Sequence, residues 1–290
     1  LTPAAAAGNT SPPFRKNQLP PALLAPKGER PAPKPEEESM SQQAAQPAES
    51  GKPKLQLEDE FTFACHRGLE CYTSCCRDVN IFLTPNDVIR LKKALGLTST
   101  EFLQQYADIV VVKDRHLPLV QLRMNEEDGR KCFFVRPHGC LYYADRPWAC
   151  RMFPLDERPE GGYTVVAEPA KCHGLVRGDQ WQVREWLKDQ GATQSKEADG
   201  SYDGLAAHHL LRGVDVNNDQ ILNMIVTALW DVDGFRKLVL NSSFLDKFEL
   251  EPERVDAIKT DDYAMLDLGY DWVRFGMLGQ KSLKLKGEAE

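Results

Sequence analysis

Cys65-His66-Arg67-Gly68-Leu69-Glu70-Cys71-Tyr72-Thr73-Ser74-Cys75-Cys76 holds four of the eight cysteines in this 290-residue chain. The other four, Cys132, Cys140, Cys150 and Cys172, come from separate later segments, and none follows Cys172. Soft thiolates at this density suit zinc or an iron-sulfur cluster, which need several deprotonated sulfurs on one centre. Calcium or magnesium would want carboxylates instead. A single cysteine of this kind reads as a small buried hydrophobe, and an even number formally permits four disulfides. Eight thiols within 108 residues of a chain otherwise poor in cysteine point to metal ahead of both. If 71–76 is helical, Cys71 and Cys75 share a face while Cys76 points about 100° away. The adjacent pair then implies either two centres, or one ligand beside a packing or bridging thiol.

Working outward, the sequence divides into three parts. Residues 1–56 are rich in Pro, Ala, Glu, Ser and Gln, and eleven of the nineteen prolines lie before residue 54. Such a segment buries too little apolar surface to offset its ordering entropy, so a disordered tail is expected there. Residues 57–175 read as a small cysteine-rich metal-binding module with short strands, and 176–290 as a helical C-terminal region packed on it. The expected class is α+β, predominantly helical. Within the module, Thr84-Pro85-Asn86-Asp87 predicts a helix carrying Val88, Leu91 and Leu95 and ending at Gly96. Thr98 and Glu101 have capping-box spacing ahead of a second helix. Residues 109–113 and 118–124 predict a hairpin, 132–135 a strand turning into 140–143, and 163–167 another strand. Asp145 is the expected cap of a short turn containing Pro147 and Cys150. Helices are predicted over 178–189, 201–212, 217–231, 232–241 and 261–277.

The residues around the cysteines resemble a known family. Phe63-Ala64-Cys65, Cys71-x3-Cys75-Cys76, Leu83-Thr84-Pro85-x-Asp87, Cys132-Phe133-Phe134, Cys140, Tyr142, Arg146-Pro147 and Cys150-Arg151-x-Phe153-Pro154 together look like the signature of the YkgJ-type cysteine-cluster family, a zinc- or iron-chelating domain also called CxxCxxCC. The ordered match runs from about 61 to 155, and the spacing from Cys65 to Cys71 is longer than the family's usual opening. The resemblance implies ligand status for Cys65, Cys71, Cys75, Cys76, Cys132, Cys140 and Cys150, whereas Cys172 joins them by proximity in sequence. Arg146 and Arg151 match family positions, where a guanidinium near thiolates offsets their charge or holds an anionic cofactor or substrate, unless each serves only in a structural ion pair. The implied cofactor is an iron-sulfur cluster or zinc, and seven or eight thiols exceed what one tetrahedral zinc uses.

Other residue types narrow the function. His66 and His173 each adjoin a cluster cysteine and His138 lies between Cys132 and Cys140, yet surface or capping roles fit them better. His208 and His209 point to different faces of a predicted helix, one buried and one exposed. Asp215-x-Asn217-x-Asp219 begins like a calcium loop, but Gln220 stands in place of the glycine and Val226 in place of the glutamate, so it is read as a helix-capping turn. Trp181, Trp186, Trp230, Phe235, Trp272 and Phe275 fall at helical positions as core. A net charge of -7 argues against a nucleic-acid partner. No apolar run suits a membrane span or an export signal, so a cytoplasmic location is expected, with Met40 a second candidate start. The expected partners are the metal ion or cluster and another protein. Three functions stay open: a metal-binding or electron-transfer protein, an iron-sulfur enzyme resembling flagellin lysine N-methylase though without an S-adenosylmethionine fingerprint, and a zinc-stapled interaction module. No catalytic residue is identified.

Overall fold

The capping chemistry of Thr84 and Thr98 sets the first two helices. Helix Pro85–Leu95 opens on a full capping box, in which Thr84 accepts the Asp87 N–H and Asp87 accepts the Thr84 N–H, and ends at Gly96 with φ 66°. Helix Ser99–Tyr106 repeats the box with Thr98 and Glu101. The computed structural model describes residues 52–112 and 115–287. Among these, twelve α-helices and twelve short strands make a mostly helical α+β protein. Each strand pairs with one antiparallel partner only, so no extended sheet forms among the described residues. None of the described helices is long and apolar enough to cross a membrane.

Two apolar clusters lie beneath the strands. The larger joins helices Pro85–Leu95, Ser99–Tyr106, Asp219–Leu229, Val232–Asn241 and Asp262–Leu278 around Ile89, Phe102, Leu229, Phe235 and Met265. Burying side chains of this size stabilises by roughly 1.5–3 kcal/mol each. The long helix packs so closely that a Cβ on Gly269 would sit 2.1 Å from the Ala228 carbonyl oxygen, which only glycine permits. A charged cross-link holds the helix ends: Lys92 lies 2.6 Å from Asp233 and 3.0 Å from Asp262, and Arg236 is 2.7 Å from each. Burial pushes both carboxyls up, but hydrogen bonds from Lys92, Ser99 and Arg236 leave them below the ordinary range. The smaller cluster gathers Phe61, Phe63, Met152, Leu155, Val183 and Trp186. Each cluster takes side chains from both sides of residue 175.

Several expected elements differ. The helix predicted over 178–189 is strand Asp179–Gln182 followed by helix Val183–Asp189, because 179–182 pairs with Glu60–Phe63. The helix predicted over 201–212 stops at Ala206, and His209–Gly213 form a 3-10 turn. His208 is half-buried and stacks on the exposed His209 with centroids 4.9 Å apart. The hairpin lies at Ala107–Val110 and Leu119–Leu122; residues 113 and 114 of the predicted stretch fall outside the described ones. Asn218 caps the helix after Asp215, as an ordinary Asx turn does. Of the tail predicted over 1–56, residues 1–51 lie outside the described residues, while Leu55 exchanges two 2.8 Å hydrogen bonds with Tyr163. Trp186, Trp230 and Phe235 are core; Trp181, Trp272 and Phe275 pack partly buried against it.

Asp87 ties the first helix to the cysteine region. Its buried carboxylate pairs with Arg90 and also accepts the Trp148 N–H at 3.0 Å. Burial lifts its pKa to about 6 against the pull of Arg90, with Asp199 adding to the rise. The folded state therefore holds this proton more tightly than the unfolded one, so its stabilising contribution is complete below about pH 4 and is lost as pH climbs through about 6. Urea midpoints at pH 7.5 and 5.5 should show the wild type gaining stability at the lower pH by more than Asp87→Asn does; equal gains in both would contradict this assignment.

Candidate metal centre

The first cysteine stretch folds as a chain of tight turns rather than a helix. Leu69, Tyr72, Ser74 and Cys76 donate their N–H groups to His66, Leu69, Cys71 and Thr73 respectively, and Thr73 takes φ 67°. The helix considered for 71–76 is thus reduced to the 3-10 turn Ser74–Cys76, and a left-handed residue just before it interrupts any common face. All eight cysteines are unbridged thiols. Cys65 and Cys75 are exposed, and the other six are half-buried.

Long-range backbone contacts bring the later cysteines to this stretch. Ala64 donates to the Gly174 carbonyl at 3.1 Å, and a Cβ on Gly174 would lie 1.9 Å from the Ala64 oxygen. That approach sets Cys65 beside the Cys172 turn. The His173 N–H then reaches the Cys71 Sγ at 3.4 Å. On the other side, Arg77 bridges to Lys131, and Asp78 donates to the Arg130 carbonyl at 2.8 Å, which brings Cys76 to the strand holding Cys132. Cys132 pairs with Met124, and Cys140 pairs with Val135 in the next tight hairpin. Arg67 and Tyr72 both donate to the His138 carbonyl, at 3.3 and 3.2 Å, and hold that hairpin against the first stretch.

The short helix Trp148–Met152 carries Cys150. Asp145 makes no side-chain cap there, contrary to the sequence expectation; Asp87 instead takes the Trp148 N–H from outside the turn. Arg146 is buried and donates to the Tyr143 carbonyl at 2.6 Å and to Gln190, while lying 3.9 Å above the Tyr143 ring. Arg151 donates to the carbonyls of Arg146, Gln190 and Ala144. These hydrogen bonds fasten the turn, and neither arginine ends in an ion pair among those found in the described residues.

The thiols also sense one another. Burial first, then the charges of Cys75, Cys172 and Cys71, push the Cys65 thiol up to about 11. Burial lifts Cys132 to about 11 as well, with Cys140 adding to the rise. Cys150 is raised by burial and by Cys132, Cys140 and Asp87, against Arg146; Cys140 is raised by burial, again against Arg146. Cys172 is raised by burial and then by Cys71 and Cys75. Cys75 moves the other way, to about 7, because Cys76 donates a hydrogen bond to its sulfur, and Cys76 is raised in consequence.

In kind and number, these donors fit a thiolate-binding metal. His173 adds a buried Nδ1 without a hydrogen-bond partner, with the Glu70 carboxylate 3.9 Å away. In position they are not closed round a point: among the described residues, no group of three His, Cys, Asp or Glu side chains is arranged to hold a metal ion. The histidines divide. His66 accepts the Gly68 N–H in its own turn, whereas His173 sits between Cys71 and Cys172, a placement that its sequence neighbour hints at and only the fold completes.

Because the thiolate is the reactive form, alkylation reads these differences directly. In reduced protein freed of metal by chelator, Cys75 should be alkylated first at pH 7, with a rate that titrates near about 7. Cys76→Ala removes the donor and should slow Cys75 at pH 7 by roughly tenfold, since each unit of pKa changes the thiolate fraction about tenfold. Peptide mapping that finds Cys75 no faster than Cys132 would refute this.

A family model described as a "putative zinc- or iron-chelating domain", CxxCxxCC, matches residues 64–173. No curated protein and no solved structure matches the chain at a significant level. The match begins one residue before Cys65 and ends one after Cys172, so it spans the turns, hairpins and short helix that carry every thiol. Over residues 64–173 the chain is thus similar to the CxxCxxCC family.

Proposed function

We propose that this protein binds iron or zinc through the sulfurs of Cys65, Cys71, Cys75, Cys76, Cys132, Cys140, Cys150 and Cys172, with an iron-sulfur centre favoured over zinc. The observation that supports the reading is that eight unbridged thiols stand on turns, hairpins and one short helix of the segment that matches a zinc- or iron-chelating family. Thiols alone, with one histidine at hand and no carboxylate among the donors, suit soft or borderline metals. Eight such donors exceed the four that a single tetrahedral zinc takes, which is why iron and sulfide are preferred. Arg146, felt by both Cys140 and Cys150, supplies a fixed positive charge that favours their deprotonated forms.

Anaerobic purification followed by metal analysis, sulfide assay and a visible spectrum tests this. Iron with acid-labile sulfide and a broad brown absorbance is the expected result, and stoichiometric zinc in colourless protein would support metal binding while removing the preference for iron. Stripping the metal with a chelator under reducing conditions should lower the melting temperature by about 5 °C or more, because metal that binds only the folded chain adds to its stability. Protein purified with neither metal, and unmoved in melting by chelator, would end the reading.

A further inference from the structure

We infer that a cavity of about 180 Å³ beside the helix Trp148–Met152 is a binding site for a small carboxylate with a flat apolar body, held by Arg115. The inference is separate from the metal-binding reading and does not rest on it.

The walls come from segments far apart in sequence. Phe82 and Leu83 precede helix Pro85–Leu95, Leu119 and Val120 belong to strand Leu119–Leu122, Trp148 opens its short helix, and Tyr202 lies in helix Gly200–Ala206. These side chains make the lining largely apolar and aromatic. Thr84, Arg115, Lys196, Asp199 and Asp203 complete it with polar groups. A cavity of about 150 Å³ suffices to admit benzene, so this one has room for a ring with a small substituent.

Which of the polar groups already have partners decides the charge of the ligand. Asp199 is only 3 % exposed and accepts the Asn86 Nδ2 at 2.7 Å. Lys196 lies 3.1 Å from Asp203 and 2.9 Å from Glu157. What is left over can donate. Among the described residues, Arg115 makes no side-chain hydrogen bond or ion pair, the Tyr202 hydroxyl makes no hydrogen bond, and the Trp148 indole N–H is buried without an acceptor. Burial lifts the Tyr202 hydroxyl to about 12 against the Arg115 charge, so it keeps its proton for donation. A ligand that completes these groups brings acceptors and a negative charge, and a guanidinium takes a carboxylate through two parallel N–H donors. The neighbouring cavity of about 240 Å³ shares Trp148 and Lys196 but has no spare cation, since its Arg184 is paired with Glu58 and its Lys196 with Glu157.

Sodium benzoate, titrated into the full-length protein and followed by calorimetry, is the test, with benzylamine and benzyl alcohol as cationic and neutral probes that carry the same ring. Benzoate should bind at one site per chain, benzyl alcohol more weakly, and benzylamine not at all. Arg115→Gln should weaken benzoate roughly tenfold to a hundredfold, as expected when a hydrogen bond to a charged group is lost. Arg184→Gln, in the neighbouring cavity, should leave the affinity unchanged. The comparison of the three probes needs no substitution and so stands if a variant fails to fold. Amine or alcohol bound as tightly as the carboxylate, the same benzoate affinity in wild type and Arg115→Gln, equal weakening by Arg184→Gln, or no benzoate binding up to its solubility would each overturn the inference.

Discussion

Clustered thiols cannot all lose their protons unless a cation joins them, and that constraint governs the rest of this protein. Burial already disfavours a thiolate, and each neighbouring thiolate disfavours it further. Cys65, Cys132, Cys150 and Cys172 are pushed up in both ways and Cys140 by burial, while Cys75 moves down because Cys76 keeps its proton and donates it. One buried guanidinium, that of Arg146, works against the trend for Cys140 and Cys150. Arg136 does the same for Cys132, and two guanidinium groups cannot balance several thiolates. Metal binding and deprotonation are therefore one event for such a cluster, with the ion supplying the charge that the scaffold lacks.

The scaffold's contribution is to hold the turns so that sulfurs from distant segments stay near one another without it. Two-residue and four-residue strand pairs are too short to be stable alone, and they persist because apolar clusters lie beneath them. Phe61 and Phe63 pack against Trp186 and anchor the strand that leads into Cys65, while Tyr106 packs on Phe133 and Phe134 just after Cys132. Asp87 extends the same logic through a polar contact, running from the capped end of a core helix to the turn that carries Cys150. Arg146 and Arg151 complete that turn from inside by occupying its carbonyls. Helical core and cysteine turns are thus mechanically continuous.

What the sequence reveals tracks how local each determinant is. Thr84 with Asp87, Thr98 with Glu101, and the stop at Gly96 are legible because cap and capped group lie within one turn. The strand at Asp179–Gln182 is not, since its extended form depends on Glu60–Phe63 across the whole cysteine segment. The Asp145 cap fails for a related reason: a carboxylate distant in sequence takes the Trp148 N–H. For the candidate site, the thiols are readable from the sequence, but which of their segments lie side by side depends on Gly174 meeting Ala64 and on Arg77 meeting Lys131. Thr73 in the left-handed region interrupts the helix considered over 71–76, which the local sequence does not announce.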